Sequence, residues 1–131
     1  MISASFNQLA NTKNSFQGDS KRVLCVCSAG LLRSPTAAHV LAVHYGYNTR
    51  AAGCREEYAL IPVSQALLHW ADEVVFMEEC HKRIVEQEYP EVELPTHYVL
   101  DVPDMFVRGD PQLEKLILKA YEEVTTIATA N

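Results

Sequence analysis

The chain lacks any apolar run approaching the roughly 18 residues that a membrane-spanning helix needs, so no membrane partner is expected. Its opening stretch, MISASFNQLANTKNSFQGDSK, lacks the apolar centre of a secretory signal. Positive charge is scarce. Eleven Lys and Arg against 17 Asp and Glu leave a net charge of −6, and only Lys21-Arg22 and Lys82-Arg83 are locally basic. Nucleic acid is not an expected partner, because a phosphate backbone is met by clustered cations. The four cysteines, Cys25, Cys27, Cys54 and Cys80, are neither dense enough for a disulfide scaffold nor spaced as a zinc ribbon or a redox CxxC. Reduced thiols and a cytoplasmic location are the simpler expectation. His39, His44, His69, His81 and His97 are scattered, with no pair sharing a helical face with a carboxylate, so no metal or cofactor is expected. Internal repeats and low-complexity tracts are also missing.

What is present suits one core. The chain has 131 residues, 48% of them hydrophobic, which is domain-sized and apolar enough to fold. Residues 1–20 read as an N-terminal extension without a period, and residues 21–131 as a single α/β domain. "RVLCVC" is an apolar run without polar alternation, the pattern of a strand buried on both faces. "SPTAAHVLAVHYG" follows as a helix, with Ser34 at the N-cap, Pro35 at the first helical position and Gly46 at the close. The same reading gives strands at "NTRAAGC", "DEVVFM" and "THYVLDV". It gives helices at "PVSQALLHWA", "EECHKRIVEQEY" and, behind Asp110 and Pro111, "DPQLEKLILKAYEEVTTIATA". Strands alternating with helices predict a mainly parallel sheet covered on both faces. Binding sites in such sheets lie at the carboxyl ends of the strands, where Cys27 and Asp101 fall.

The stretch "CVCSAGLLRSPTA" carries the chemistry. A strand ends at Cys27, five residues make a tight loop, and Arg33 stands where a helix begins. Loop amides and the positive end of a helix dipole converge there on one point, which suits a tetrahedral dianion. Arg33 adds a planar fork that a lysine cannot match. The same field favours a thiolate over a thiol at its centre. Gly30 supplies backbone freedom, and Ser34 stands within reach of the sulfur or the loop. Cys25 lies inside the strand and reads as core packing.

"VLCVCSAGLLRSPTA" resembles the phosphate-binding loop of low-molecular-weight protein tyrosine phosphatases, whose signature is C-x5-R-S. The likeness continues in "RAAGC", "WADEVVFMEECHKRIV" and "VLDVPDMF" and covers roughly residues 22–127. It looks closest to a short bacterial and phage branch of predicted protein tyrosine phosphatases. The resemblance implies a three-layer α/β fold with a four-stranded, mainly parallel sheet of order 2-1-3-4. It also implies a phosphomonoesterase acting on a phosphotyrosine protein or a small aryl phosphate without metal. Cys27 would attack phosphorus to form a cysteinyl-phosphate, and an aspartate would protonate the leaving oxygen. Ser28, Ala29, Gly30, Leu31, Leu32, Arg33 and Ser34 would hold the phosphate. For the acid, Asp104 with Phe106 matches the family's Asp-Pro-aromatic motif, with Met105 in place of proline. Asp101 is the alternative, more suited to holding the loop at the strand end, where with Phe106 it would border the substrate pocket. The family usually has Gly and Asn where this chain has Ala29 and Gly30, and many members have a second cysteine where it has Leu32.

Two other readings stay open. A thiol-dependent arsenate reductase shares the loop but needs two further relay cysteines, and only Cys80 is well placed. A phosphocysteine carrier is the other, since "CSAG" resembles the IIB proteins of sugar phosphotransfer systems, which lack the arginine and have no use for a late acid. Elsewhere the bland readings hold: Trp70, Tyr89, Tyr98 and Tyr121 as packing, and "EECHKR" as a solvated helix face.

Overall fold

A computed structural model describes residues 20–57, 59–104 and 110–130, the side chains of 128–130 excepted. The expected extension lies, apart from Ser20, outside the described residues. Four strands, β1 (Arg22–Cys27), β2 (Asn48–Gly53), β3 (Glu73–Phe76) and β4 (Thr96–Val99), form one sheet. Its order is β2-β1-β3-β4 and every pairing is parallel, matching the expected 2-1-3-4 arrangement. Among the described residues, four helices connect or follow the strands: α1 (Arg33–Tyr45), α2 (Gln65–Trp70), α3 (Glu79–Glu88) and α4 (Pro111–Ala130).

The apolar run of β1 explains the three layers. Val23, Cys25 and Cys27 point to one face, where Ala37 and Leu41 of α1 and Leu113, Ile117 and Tyr121 of α4 cover them. Leu24 and Val26 point to the other, against Leu67, Leu68 and Trp70 of α2 and Val85 of α3. A strand buried on both sides needs no polar alternation. Cys25 is fully buried, and that burial pushes its thiol well above the ordinary range. Trp70 packs in the second core, with the Arg50 guanidinium 4.8 Å from its ring centre.

Helix starts differ from expectation in one informative place. Helix α1 begins at Arg33, with Leu32 at the N-cap and no side-chain cap. Ser34, expected as the cap, is instead fully buried inside the first turn. Its hydroxyl is engaged elsewhere. Pro35 falls at the third helical position, where its missing N–H is still one of the unpaired donors of the first turn. The strands β3 and β4 are also shorter than the runs that contain them, ending at Phe76 and Val99.

Candidate active site

Four chain segments meet at the carboxyl edge of the sheet: the loop after β1, the exits of β2 and β3, and the segment after β4. Cys27 is buried at the end of β1. Its Sγ accepts from the Gly30 N–H at 3.2 Å and lies 3.1 Å from Ser34 Oγ. The Ser34 hydroxyl is also 3.4 Å from the Ala52 carbonyl. A backbone donor and a hydroxyl therefore meet the sulfur beside the N-terminus of α1. Cys27, Ser28, Ala29, Leu31, Leu32, Arg33 and Asp104 line one cavity of about 180 Å³.

The loop is wedged in place by contacts that glycine alone permits. Gly30 has φ of +74°, and a Cβ there would stand 2.8 Å from both the Ala52 carbonyl carbon and the Gly53 nitrogen. Across that contact, a Cβ on Gly53 would fall 2.5 Å from the Ala29 carbonyl carbon. The β2 exit adds backbone bonds to the same loop. The Cys54 N–H donates to the Cys27 carbonyl and the Arg55 N–H to the Ser28 carbonyl, each at 2.9 Å.

Arg33 is the best-held side chain of the site. It is 3% exposed, and Nη1 donates both to the Glu78 carboxylate and, at 2.9 Å, to the Val102 carbonyl. Those two bonds occupy Nη1 and leave the Nε–Nη2 edge of the fork for another anion. Asp104 stands on that side, its Oδ1 3.8 Å from Nε. Asp101 does not enter. It is exposed and has φ of +58°, a left-handed conformation that aspartate tolerates better than most residues. The turn at Asp101 leaves Leu100 and Val102 hydrogen-bonded to the β3 exit and brings the Val102 carbonyl to Arg33. Phe106 and Met105 lie outside the described residues.

Two residues of the site went unread in the sequence. Glu78 and His81 belong to "EECHKR", expected as a solvated face. Glu79, Cys80 and Arg83 are indeed exposed, but His81 is 1% exposed. Its Nδ1 accepts from the Glu78 N–H at 3.0 Å, and its Nε2 is 3.0 Å from Ser28 Oγ. Burial pulls the His81 pKa down to about 4, and the guanidinium groups of Arg33 and Arg55 add to this against the opposing Glu78 and Asp104. The imidazole is therefore neutral near pH 7. With Nδ1 accepting, the ring proton lies on Nε2 and is donated to Ser28. The pair caps α3 in the geometry of a capping box.

A parallel sheet of this order with such a loop defines the fold of the low-molecular-weight phosphatase type, and the comparisons agree on it. Wzb from Vibrio vulnificus, solved in complex with benzylphosphonate, matches with a TM-score of 0.65 at 20% identity, over 82% of this chain and 98% of that one. The YwlE arginine phosphatase from Geobacillus stearothermophilus matches with a TM-score of 0.56 at 22% identity, over 85% and 97%. A thioredoxin-dependent arsenate reductase from Corynebacterium glutamicum matches with a TM-score of 0.50 at 15% identity, over 97% of this chain and 71% of that one. No family model and no curated protein matches the sequence. At such identities the likeness is one of fold.

Proposed function

We propose that the chain is a cysteine-dependent phosphomonoesterase that hydrolyses an aryl phosphate, with phosphotyrosine or a small aryl ester as substrate. One observation carries this reading. The Cys27 sulfur accepts from the Gly30 amide of the loop and lies against the Ser34 hydroxyl in the first turn of α1, beside a buried arginine whose Nε–Nη2 edge faces Asp104 at 3.8 Å. A phosphoryl dianion bound by the loop amides and that edge has its phosphorus next to Sγ. The S–P bond forms as the P–O bond to the leaving group breaks, and Asp104 gives its proton to the departing oxygen. Water then attacks the cysteinyl-phosphate. Asp104 takes the proton from that water, inorganic phosphate leaves, and the thiolate is regenerated. The loop donors and Arg33 stabilise the equatorial oxygens through both steps.

The rim supports an organic, apolar leaving group. Leu31 and Leu32 line the cavity while remaining 42% and 40% exposed. Large apolar side chains kept at the surface beside a polar centre suit a ligand that covers them. The thiol-relay reading is less well supported. Burial pushes the Cys54 thiol up to about 11, which disfavours the thiolate that a relay needs.

The test is hydrolysis of aryl phosphates with good and poor leaving groups. Cys27→Ser is expected to abolish turnover. Asp104→Asn is expected to slow phenyl phosphate by about 10²- to 10⁴-fold, the usual range for a lost general acid. A nitrophenyl ester, whose oxygen leaves with little help, should slow much less. Full turnover in Cys27→Ser would overturn the mechanism. The same leaving-group dependence in Asp101→Asn instead of Asp104→Asn would overturn the acid.

A further inference from the structure

We propose that His81 is a positioning residue for the phosphate loop: as the neutral Nε2–H tautomer it donates to Ser28 and, through the cap it shares with Glu78, ties that loop to the carboxylate that orients Arg33. The inference rests on the phosphomonoesterase reading for its purpose, though its geometry stands apart from turnover.

The bonds around His81 run in one direction only. The Glu78 N–H can only donate, so His81 Nδ1 accepts. A neutral ring then has one proton, on Nε2, and Ser28 Oγ at 3.0 Å receives it. Ser28 keeps its own hydroxyl proton to give away from the ring. Ser28 lines the same cavity as Cys27 and Arg33, so that proton is available to a phosphoryl oxygen. A charged imidazolium would place a second donor against the Glu78 N–H and break the chain of bonds at its first link. Burial keeps the ring neutral, helped by the guanidinium groups of Arg33 and Arg55 and opposed by the carboxylates of Glu78 and Asp104.

The second half of the link is Glu78. It is the N-cap of α3, its backbone N–H bonds to His81 and its carboxylate bonds to Arg33 Nη1. One histidine thus fixes Ser28 directly and, by setting the Glu78 backbone, fixes the group that engages Arg33 through Nη1, away from its Nε–Nη2 edge. Ser28 is held from the other side as well, where its carbonyl accepts from the Arg55 N–H. With both sides tied, the first loop residue after the sulfur has little freedom.

The test reads the anion site without requiring turnover. The rate of Cys27 alkylation by iodoacetate is followed by mass spectrometry of the Cys27 peptide at pH 7, against increasing inorganic phosphate. Wild type, H81N, H81Q, S28A and the double variant H81N/S28A are compared. Asparagine keeps an acceptor near the Nδ1 position and so keeps the α3 cap, while glutamine keeps a donor near the Nε2 position. H81N and S28A should each raise the half-protecting phosphate concentration by about fivefold to tenfold, the worth of one hydrogen bond to a charged ligand's site. The double variant should be no weaker than either single one, and H81Q should stay within about twofold of wild type.

Wild-type protection in H81N, effects that multiply in the double variant, or H81Q as weak as H81N would each overturn the inference. If H81N loses its cooperative thermal transition, S28A decides alone, and wild-type protection there overturns it. Absence of aryl phosphate turnover in a wild type that phosphate still protects overturns the phosphatase reading and leaves this one standing. No protection in wild type overturns both.

Discussion

At the scale of single residues, the site depends on atoms that are missing as much as on those present. Gly30 occupies a position where relatives of the resembled family have asparagine, and by conformation alone asparagine would be tolerated at φ of +74°. Space forbids it here, because a Cβ would meet the backbone of Ala52 and Gly53 at 2.8 Å. Gly30→Asn should therefore lose phosphate protection of Cys27 as fully as it loses turnover, while a merely slower enzyme with wild-type phosphate affinity would show that the loop had found room. His81 gives a second outcome at this scale, in pH. Its folded pKa of about 4 lies below the ordinary value of 6.5. The unfolded chain takes up the proton first as acid is added. The stability due to its neutral form is present above pH 6.5 and is lost as pH falls from there toward 4, with a slope of at most about 1.4 kcal/mol per pH unit. Urea unfolding at several pH values should show this limb in wild type and a flatter one in His81→Asn. Identical slopes would mean that the ring is not held neutral.

At the scale of elements, the helix α1 shows why part of the site was legible and part was not. The strand before it is a continuous apolar run, and Cys27, Arg33, Ser34 and Pro35 follow at a spacing with few other uses, so loop, strand and helix could all be read in sequence. The role of Ser34 could not. A serine before proline at a helix start has the form of a cap, yet its hydroxyl turns to Cys27 and the helix start is left to Leu32. The cap of α3 was hidden for the opposite reason. A capping box is recognised by Ser or Thr followed by Glu or Gln, and Glu78 with His81 reverses that chemistry, so "EECHKR" looks like solvent-facing charge. Long-range pairing also has no local trace, since Glu78 and Arg33 are 45 residues apart. The uncapped start of α1 carries an expectation of its own. Its N-cap residue, Leu32, makes no side-chain cap, and an oxyanion suits the first N–H groups of such a terminus. Phosphate at about 100 times its dissociation constant should stabilise the wild-type fold by about 2.7 kcal/mol. Arg33→Lys, which keeps the charge and loses the fork, should gain clearly less in a thermal melt. An equal gain in both proteins would assign the anion to the helix terminus without the guanidinium.

At the scale of the whole molecule, the parallel sheet separates chemistry from stability. All strands run the same way, so everything at their carboxyl ends faces the candidate site and everything at their amino ends is remote from it. Among the described residues, the amino edge holds the buried charged side chain other than Arg33. Glu73, the first residue of β3, is 2% exposed. It accepts from the Tyr121 hydroxyl of α4 at 2.7 Å and from Lys21 Nζ at 3.3 Å. Burial, with the bond to Glu73, pushes the Tyr121 hydroxyl far above its ordinary range, so it stays a donor to the carboxylate. A hydrogen bond to a charged group contributes about 1.5–3 kcal/mol. The same edge packs Tyr45, Tyr47 and Tyr98 around Tyr121, with ring centres 5.4, 6.4 and 6.2 Å from it. The ring of a phenylalanine keeps those contacts and removes only the hydroxyl. Tyr121→Phe should therefore lower the unfolding free energy by about 1.5–3 kcal/mol in urea and leave phosphate protection of Cys27 unchanged at a temperature where both proteins are folded. A loss of phosphate affinity in that variant would mean that the two edges of the sheet are coupled, and that the rigidity of the loop is set by the core as a whole instead of by the contacts around Ser28, Gly30 and Arg33.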